Sequence, residues 1–188
     1  MAFDCYIIDG NAVQQAVVSL SSTFGELAEC VFDQLPRAKR VDFVTDSYHP
    51  CSIKGVERSR RGSAKAHLVK GPSTKVPRDW KRFLCNEVNK RRLCSFLLEE
   101  WKKDKYAWKL NGKSLIVVNE RSCISLRSLD GKSIISEEIE ELCSSQEEAD
   151  TRIILHCKHV AANSPNNSAI LIRSPDTDVF ILLLRFAR

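Results

Sequence analysis

Short apolar runs alternate along the chain with stretches whose apolar residues recur every three or four positions. The runs "CYIID", "VDFVTD", "SLIVVN" and "AILIR" predict buried strands. Residues 12–20 and 27–35 follow helical spacing between the first two runs, and Thr23 with Glu26 forms a capping box before the second helix. Because strands and helices alternate, we predict an α/β fold whose strands are parallel.

The second half of the chain adds a long helical pattern and a hairpin. Residues 78–105 place their aromatic side chains at helical spacing, which favours core packing over base stacking, and Asp79 can cap the first turn. The run "CISLRSLDGKSII" holds an Asp-Gly turn at residues 130–131, which is typical of a hairpin. Residues 137–142 predict a short acidic helix.

The length and composition indicate one globular domain. Apolar residues make up 43% of the 188-residue chain and charged residues 28%. We predict a single domain over residues 1–188 with a three-layer α/β/α architecture, a mainly parallel sheet and a small hairpin. The sequence ends on an apolar run, so we expect the domain to be incomplete at its C-terminus.

The charge is unevenly distributed. Residues 37–113 hold 21 Lys and Arg against 8 Asp and Glu, whereas residues 120–152 hold 4 against 9. Clustered basic charge is typical of nucleic-acid binding, although a solvated surface would show it too. The apolar runs are far shorter than the ~20 residues that span a bilayer, and no signal peptide is visible, so we expect no membrane partner.

The basic segment over residues 47–77 differs from its surroundings. It is poor in large apolar residues and contains several Gly and Pro, so we predict an inserted surface segment, helical or mobile, rather than part of the core.

The eight cysteines indicate a reducing compartment. None is spaced C-x-x-C and most have apolar neighbours, which predicts buried thiols in an intracellular protein. His156 and His159 would share a helix face, but no second pair of ligands accompanies them, so we do not expect structural zinc.

Carboxylates follow the predicted strands or open a helix at four separate places. They are Asp9, Asp46, Glu148 with Asp150, and Asp176 with Asp178. Taken singly, each is most simply a cap or turn residue, and in "SSQEEADTRI" Ser144 with Glu147 or Ser145 with Glu148 would form a capping box. Together they would meet at the carboxyl edge of a parallel sheet and repel one another, which divalent cations would relieve.

Four stretches resemble the nuclease core of the flap endonuclease family, within the PIN-like superfamily. They are "YIIDGNA", "VDFVTDSYHPCSIKGVERSRRGSAKA", "SQEEADTRI" and "SPDTDVFIL", and their order and approximate spacing hold across nearly the whole chain. The chain also resembles invertebrate proteins, some from mobile elements, that carry "EEAD" and "SPDTDV".

The resemblance implies roles for particular residues. The six acids at the four places match the family's metal ligands, with Glu147 a weaker substitute for Glu148. Lys54 and one of Arg58, Arg60 or Arg61 match the basic residues that contact the scissile phosphate, and with Lys65 they would bind nucleic acid. The implied cofactor is Mg²⁺ or Mn²⁺, as two ions.

The implied activity is metal-dependent hydrolysis of DNA at flap-like structures by an intracellular enzyme, with the nucleus the favoured compartment. Two alternatives stay open: a PIN-like ribonuclease, and a non-catalytic scaffold that binds nucleic acid or protein. Departures from the family are a further acid on a later strand and a helix-hairpin-helix DNA grip, neither of which is found before residue 188, and a longer segment over residues 106–140.

Overall fold

A computed structural model of the chain describes residues 4–17, 21–48, 65–164 and 169–186. Its six strands are β1 (Cys5–Asp9), β2 (Arg40–Val44), β3 (Ser114–Asn119), β4 (Ser122–Arg127), β5 (Ile135–Glu138) and β6 (Ile170–Arg173). They form one sheet in the order β5-β4-β3-β2-β1-β6. β1 pairs in parallel with β2 and β6, and β2 in parallel with β3, while β4 is antiparallel to both β3 and β5.

Helices connect the parallel strands. They are α1 (Gly10–Gln15), α2 (Phe24–Asp33), α3 (Trp80–Leu84), α4 (Glu87–Trp101), α5 (Ala149–Asn163) and α6 (Thr177–Phe186), with 3₁₀ helices at Asp104–Leu110 and Glu140–Leu142.

The sheet is covered on both faces. On one face the α2 and α4 helices pack on the strands, with the ring of Phe43 meeting Trp101 edge to face at 5.3 Å between centroids. On the other face Ile153 of α5 and Val179 of α6 pack against Ile7 of β1. Two separate apolar clusters around one sheet make three layers, which confirms the predicted α/β/α fold class.

Several local predictions are confirmed. Thr23 and Glu26 form the capping box of α2, and the Asp79 carboxylate accepts the backbone N–H of Arg82 at 3.0 Å. The aromatic residues of α3 and α4 are buried in the core, since Trp80 is 6% exposed. The antiparallel β4–β5 hairpin is also present, with Gly131 at φ +69°, a left-handed conformation that glycine adopts without strain.

Two local predictions are wrong. Residues 137–142 do not form one acidic helix, because Glu137 and Glu138 belong to the edge strand β5, where cross-strand hydrogen bonds replace helical ones. Glu148 precedes α5 without a side-chain cap, and Ser144 accepts from the N–H of Gln146 instead, so the capping box is absent.

The inserted basic segment is described only in part. Residues 65–77 contain no helix, and residues 49–64 lie outside the described residues.

Candidate functional site

Two of the predicted acids follow neighbouring strands and cap helices. Asp9 is the last residue of β1, and its carboxylate accepts the N–H groups of Asn11 at 2.9 Å and Ala12 at 3.1 Å, which starts α1. The helix lies close to β2, because a Cβ at Gly10 would lie 2.6 Å from the ring of Phe43. Only glycine therefore fits after Asp9 without moving that ring.

Asp46 does the same for a helix far away in the sequence. It lies two residues beyond β2, and its carboxylate accepts the backbone N–H of Ala149, the first residue of α5, at 2.9 Å. The start of α5 is thus capped by an acid from another strand. This bond brings Glu148 and Asp150 to the end of β2.

Of the last two acids, Asp176 lies in the connection from β6 to α6, and Asp178 lies in the first turn of α6. The backbone N–H of Asp178 donates to the carboxylate of Asp176 at 2.9 Å, and the N–H of Asp176 donates to the hydroxyl of Ser174 at 3.1 Å. These local bonds keep the turn tight. Both acids are exposed to solvent.

One cavity collects all of these side chains. Its volume is about 550 Å³, and it lies at the carboxyl ends of β1, β2 and β6. The acids that line it are Asp9, Asp46, Glu148, Asp150, Asp176 and Asp178, joined by the polar residues Asn11, Gln15, Ser174 and Thr177. All six acids predicted as metal ligands therefore line one cavity, and the weaker substitute Glu147 is not among the lining residues.

The neighbouring carboxylates of the cavity affect the ionisation of Asp9. Burial raises the pKa of Asp9 above its ordinary value, and the negative charges of Asp46 and Asp176 raise it further. The hydrogen bonds from Ala12 and Asn11 oppose this rise without cancelling it. Ionised Asp9 is thus in an unfavourable environment that a cation would improve.

The donor chemistry of the cavity fits a hard divalent cation, because it offers carboxylate, amide and hydroxyl oxygens. Within the described residues no three acids, histidines or cysteines are close enough together to coordinate one ion directly. Mg²⁺ keeps several of its waters when bound and needs only one or two direct carboxylates. The arrangement therefore suits an ion held partly through water.

A buried arginine connects segments that carry acids of the cavity. Arg152, one turn into α5, is 0% exposed, and its guanidinium donates to the hydroxyl of Ser47 and the carbonyl of Glu120. Ser47 also donates to that carbonyl at 2.6 Å. The backbone of Glu120 has φ +54°, a left-handed conformation that is uncommon for residues other than glycine. Arg152 thereby holds together the segment after β2, the β3–β4 turn and the start of α5.

Of the five predicted phosphate-binding residues, the structure describes Lys65. Lys54, Arg58, Arg60 and Arg61 lie outside the described residues. Lys65 is exposed, and its carbonyl accepts from the side-chain amide of Asn89 at 3.2 Å, which fixes this end of the basic segment on α4.

Sequence reasoning missed a cation near the acids. The ammonium group of Lys90 on α4 lies 5.4 Å from the ring centroid of Tyr48, and the Tyr48 hydroxyl donates to Asp46 at 3.3 Å. Lys90 is therefore a candidate phosphate contact beside the cavity. The run Lys90-Arg91-Arg92 in this helix is the sequence signal that could have indicated it.

The histidines predicted not to bind zinc have other partners. His156 is fully buried, with Nδ1 2.7 Å from the carboxylate of Asp42, which also accepts two bonds of 2.7 Å from Arg40. His159 Nδ1 lies 3.1 Å from the Arg40 guanidinium. Burial alone would raise the pKa of Asp42, but the bonds from Arg40 and His156 lower it below the ordinary value. This network is structural.

The thiols agree with the sequence in part. The seven described cysteines are all free, and Cys5, Cys94 and Cys123 are buried, whereas Cys85 and Cys143 are exposed. Burial raises the pKa of Cys123 to about 12, so this thiol stays protonated although it lies 3.8 Å from His156 Nε2.

Within the described residues no helix is both long enough and apolar enough to cross a membrane. A scan against protein-family models gives no match, and searches of curated proteins and of solved structures give none either.

Proposed function

We propose that the chain is a divalent-metal-dependent nuclease core that hydrolyses phosphodiester bonds in DNA. The observation that carries this proposal is the meeting of six carboxylates, from four separate stretches of the sequence, in one cavity at the carboxyl edge of the sheet. Sites of open α/β sheets form at this edge. The resemblance of the same stretches to the flap endonuclease family favours a flap-like DNA substrate.

The roles follow from position. Asp9, Asp46 and the pair Glu148 and Asp150 would hold Mg²⁺ or Mn²⁺, and Asp176 and Asp178 would complete the set from the other side of β1. Bound divalent ions would supply an activated water and stabilise the leaving oxygen. Lys90 would hold a backbone phosphate next to Asp46.

The basic residues outside the described part have roles of the same kind. By the family resemblance, Lys54 and an arginine among Arg58, Arg60 and Arg61 would contact the phosphate that is cut. Binding to the backbone would be independent of sequence and sensitive to salt.

The test is cleavage of labelled single-stranded, flapped and duplex DNA and of RNA with Mg²⁺. Asp176→Asn/Asp178→Asn removes two charges from the cavity and should abolish cutting. The control Glu140→Gln/Glu141→Gln removes two charges from exposed acids outside the cavity and should cut as the wild type does. Equal cutting by both double variants would refute the proposal. Cutting confined to RNA would show that the substrate is RNA rather than DNA.

One observation favours a second function, a non-catalytic scaffold that binds nucleic acid. No three metal-ligating side chains of the described residues approach one point. If this arrangement persists in solution, the chain should bind labelled DNA without cutting it, and Mn²⁺ should leave its thermal midpoint unchanged.

A further inference from the structure

The opposite end of the sheet carries a groove of different character. It has a volume of about 340 Å³ and lies at the start of β2 and β3. These strands are five and six residues long, so roughly 15–20 Å separates the groove from the acidic cavity. The groove is therefore a separate site.

An exposed tryptophan forms one wall of this groove. Trp108 is 68% exposed, whereas Trp80 and Trp101 are 6% and 0% exposed and donate their indole N–H groups to backbone carbonyls. Trp108 belongs to the 3₁₀ helix Asp104–Leu110, whose residues Tyr106 and Leu110 face the core. The helix is thus anchored by its neighbours, and Trp108 presents its ring to solvent.

Three cations line the groove that holds this ring. Lys109, Arg37 and Lys113 line the same groove, and the Lys109 ammonium lies 5.4 Å from the ring centroid of Trp108. Among the described residues that line the groove, Asp33 is the one carboxylate, and it is ion-paired with Lys109. Arg37 and Lys113 are exposed, so the groove presents net positive charge next to a flat apolar face.

We propose that this groove binds a single-stranded nucleic-acid segment, with one base stacked on Trp108 and adjacent phosphates held by Arg37 and Lys113. Aromatic side chains stack on every base, and neighbouring cations follow the backbone, which is how sequence-tolerant single-strand binding works. An uncharged protein segment or a neutral ring compound would leave the cations without a partner. The inference does not depend on the nuclease activity.

Tryptophan fluorescence tests the stacking directly. Titration with an oligothymidylate of roughly eight nucleotides, a usual site size, should quench the wild-type emission in the presence of EDTA, which prevents cleavage. Trp108→Phe should lose this quenching, because Trp80 and Trp101 are buried. Inorganic phosphate alone should not quench. Quenching that persists in Trp108→Phe, or is absent from the wild type, would overturn the proposal.

Affinity provides a second measurement. Trp108→Ala should weaken binding of the oligonucleotide about tenfold, which is the size of one base stack. The control Phe180→Ala removes an aromatic side chain of similar exposure, 63%, from α6 and should change the affinity by less than about twofold. Equal affinity of the Trp108 and Phe180 variants would contradict the proposal.

The cations are tested through salt dependence. Arg37→Ala/Lys113→Ala should lower the slope of log affinity against log salt by about 1.4, because each single-strand phosphate that a cation no longer neutralises reduces the slope by about 0.7. Lys158→Ala/Arg185→Ala removes two exposed cations of α5 and α6 and should leave the slope unchanged. An unchanged slope in the groove variant would exclude phosphate binding there. Loss of cleavage with these results intact would refute only the nuclease proposal.

Discussion

Two aspartates of neighbouring strands illustrate how differently this molecule treats a carboxylate. Asp42, inside β2, is fully buried and has partners for both oxygens in Arg40 and His156. Asp9, at the end of β1, is half-buried and has further carboxylates as neighbours. Burial acts in the same direction on both, yet the pKa of Asp42 is lowered and that of Asp9 is raised.

The difference separates a structural acid from a candidate functional one. Asp42 stabilises the fold because its partners replace the water it has lost. Burial and the neighbouring carboxylates disfavour the ionised form of Asp9, and a bound cation would relieve this unfavourable energy. The two aspartates therefore differ in the charge of their neighbours rather than in the direction in which burial acts on them.

The largest expected effect comes from removing the compensated charge. Asp42→Asn should lower the free energy of unfolding by about 3–5 kcal/mol, because the largely buried Arg40 loses its counter-charge and one of the two carboxylate oxygens that Arg40 and His156 share is lost. Urea unfolding followed by circular dichroism measures this. Asp4→Asn is the control, since Asp4 is 41% exposed and 3.6 Å from Lys39, and it should cost less than about 1 kcal/mol.

The network also predicts a pH dependence. Because the folded pKa of Asp42 is lowered, its stabilisation is present above the ordinary Asp pKa and is lost as pH falls through the folded value. The wild type and Asp42→Asn should therefore converge in stability at low pH. A constant difference down to acid unfolding would mean that Asp42 does not act as an ion.

A smaller effect should come from removing the buried guanidinium of Arg152, which bonds to Ser47 and to the Glu120 carbonyl. Arg152→Met should lower the free energy of unfolding by about 1–3 kcal/mol, because Ser47 and the Glu120 carbonyl lose a buried donor. The Arg152 bonds join the start of α5 to the segment after β2, where Asp46 accepts the amide of Ala149. In Arg152→Met that amide should therefore also exchange faster with solvent.

The matched control for this change is Arg121→Met in the same β3–β4 turn. Arg121 is exposed, so its replacement should leave both stability and amide exchange near wild type. If Arg152→Met lowers stability without altering the exchange of Ala149, Arg152 contributes packing alone and does not position the acids.

How much of this could be predicted from the sequence depends on the range of the contacts. Asp9 and Asp46 were placed correctly because the strand pattern is local and parallel strands end at one edge. The Asp42–His156 contact joins residues 114 positions apart, and nothing local marks it. The cap of α5 was misassigned for the same reason, since its acceptor is Asp46 rather than a neighbouring serine.

The smallest predicted effect has the opposite sign and is the sharpest test of the comparison. Asp9→Asn should raise the free energy of unfolding at neutral pH by on the order of 1 kcal/mol, because it removes one of several mutually repelling charges. Asparagine keeps the oxygen that accepts from Asn11 and Ala12, so the cap of α1 survives. Thermal unfolding with and without Mn²⁺ measures the effect.

The raised pKa of Asp9 fixes how this gain should vary with pH. The folded state holds the Asp9 proton more tightly than the unfolded chain does, so wild-type stability falls as pH rises from the ordinary Asp pKa through the raised value. The advantage of Asp9→Asn should therefore vanish in acid and grow as pH rises through the raised pKa. Mn²⁺ should raise the thermal midpoint of the wild type much more than that of the variant. The variant has lost one carboxylate ligand and the charge repulsion that a bound ion would relieve. A variant less stable than the wild type at neutral pH without metal would show that Asp9, like Asp42, is a structural acid.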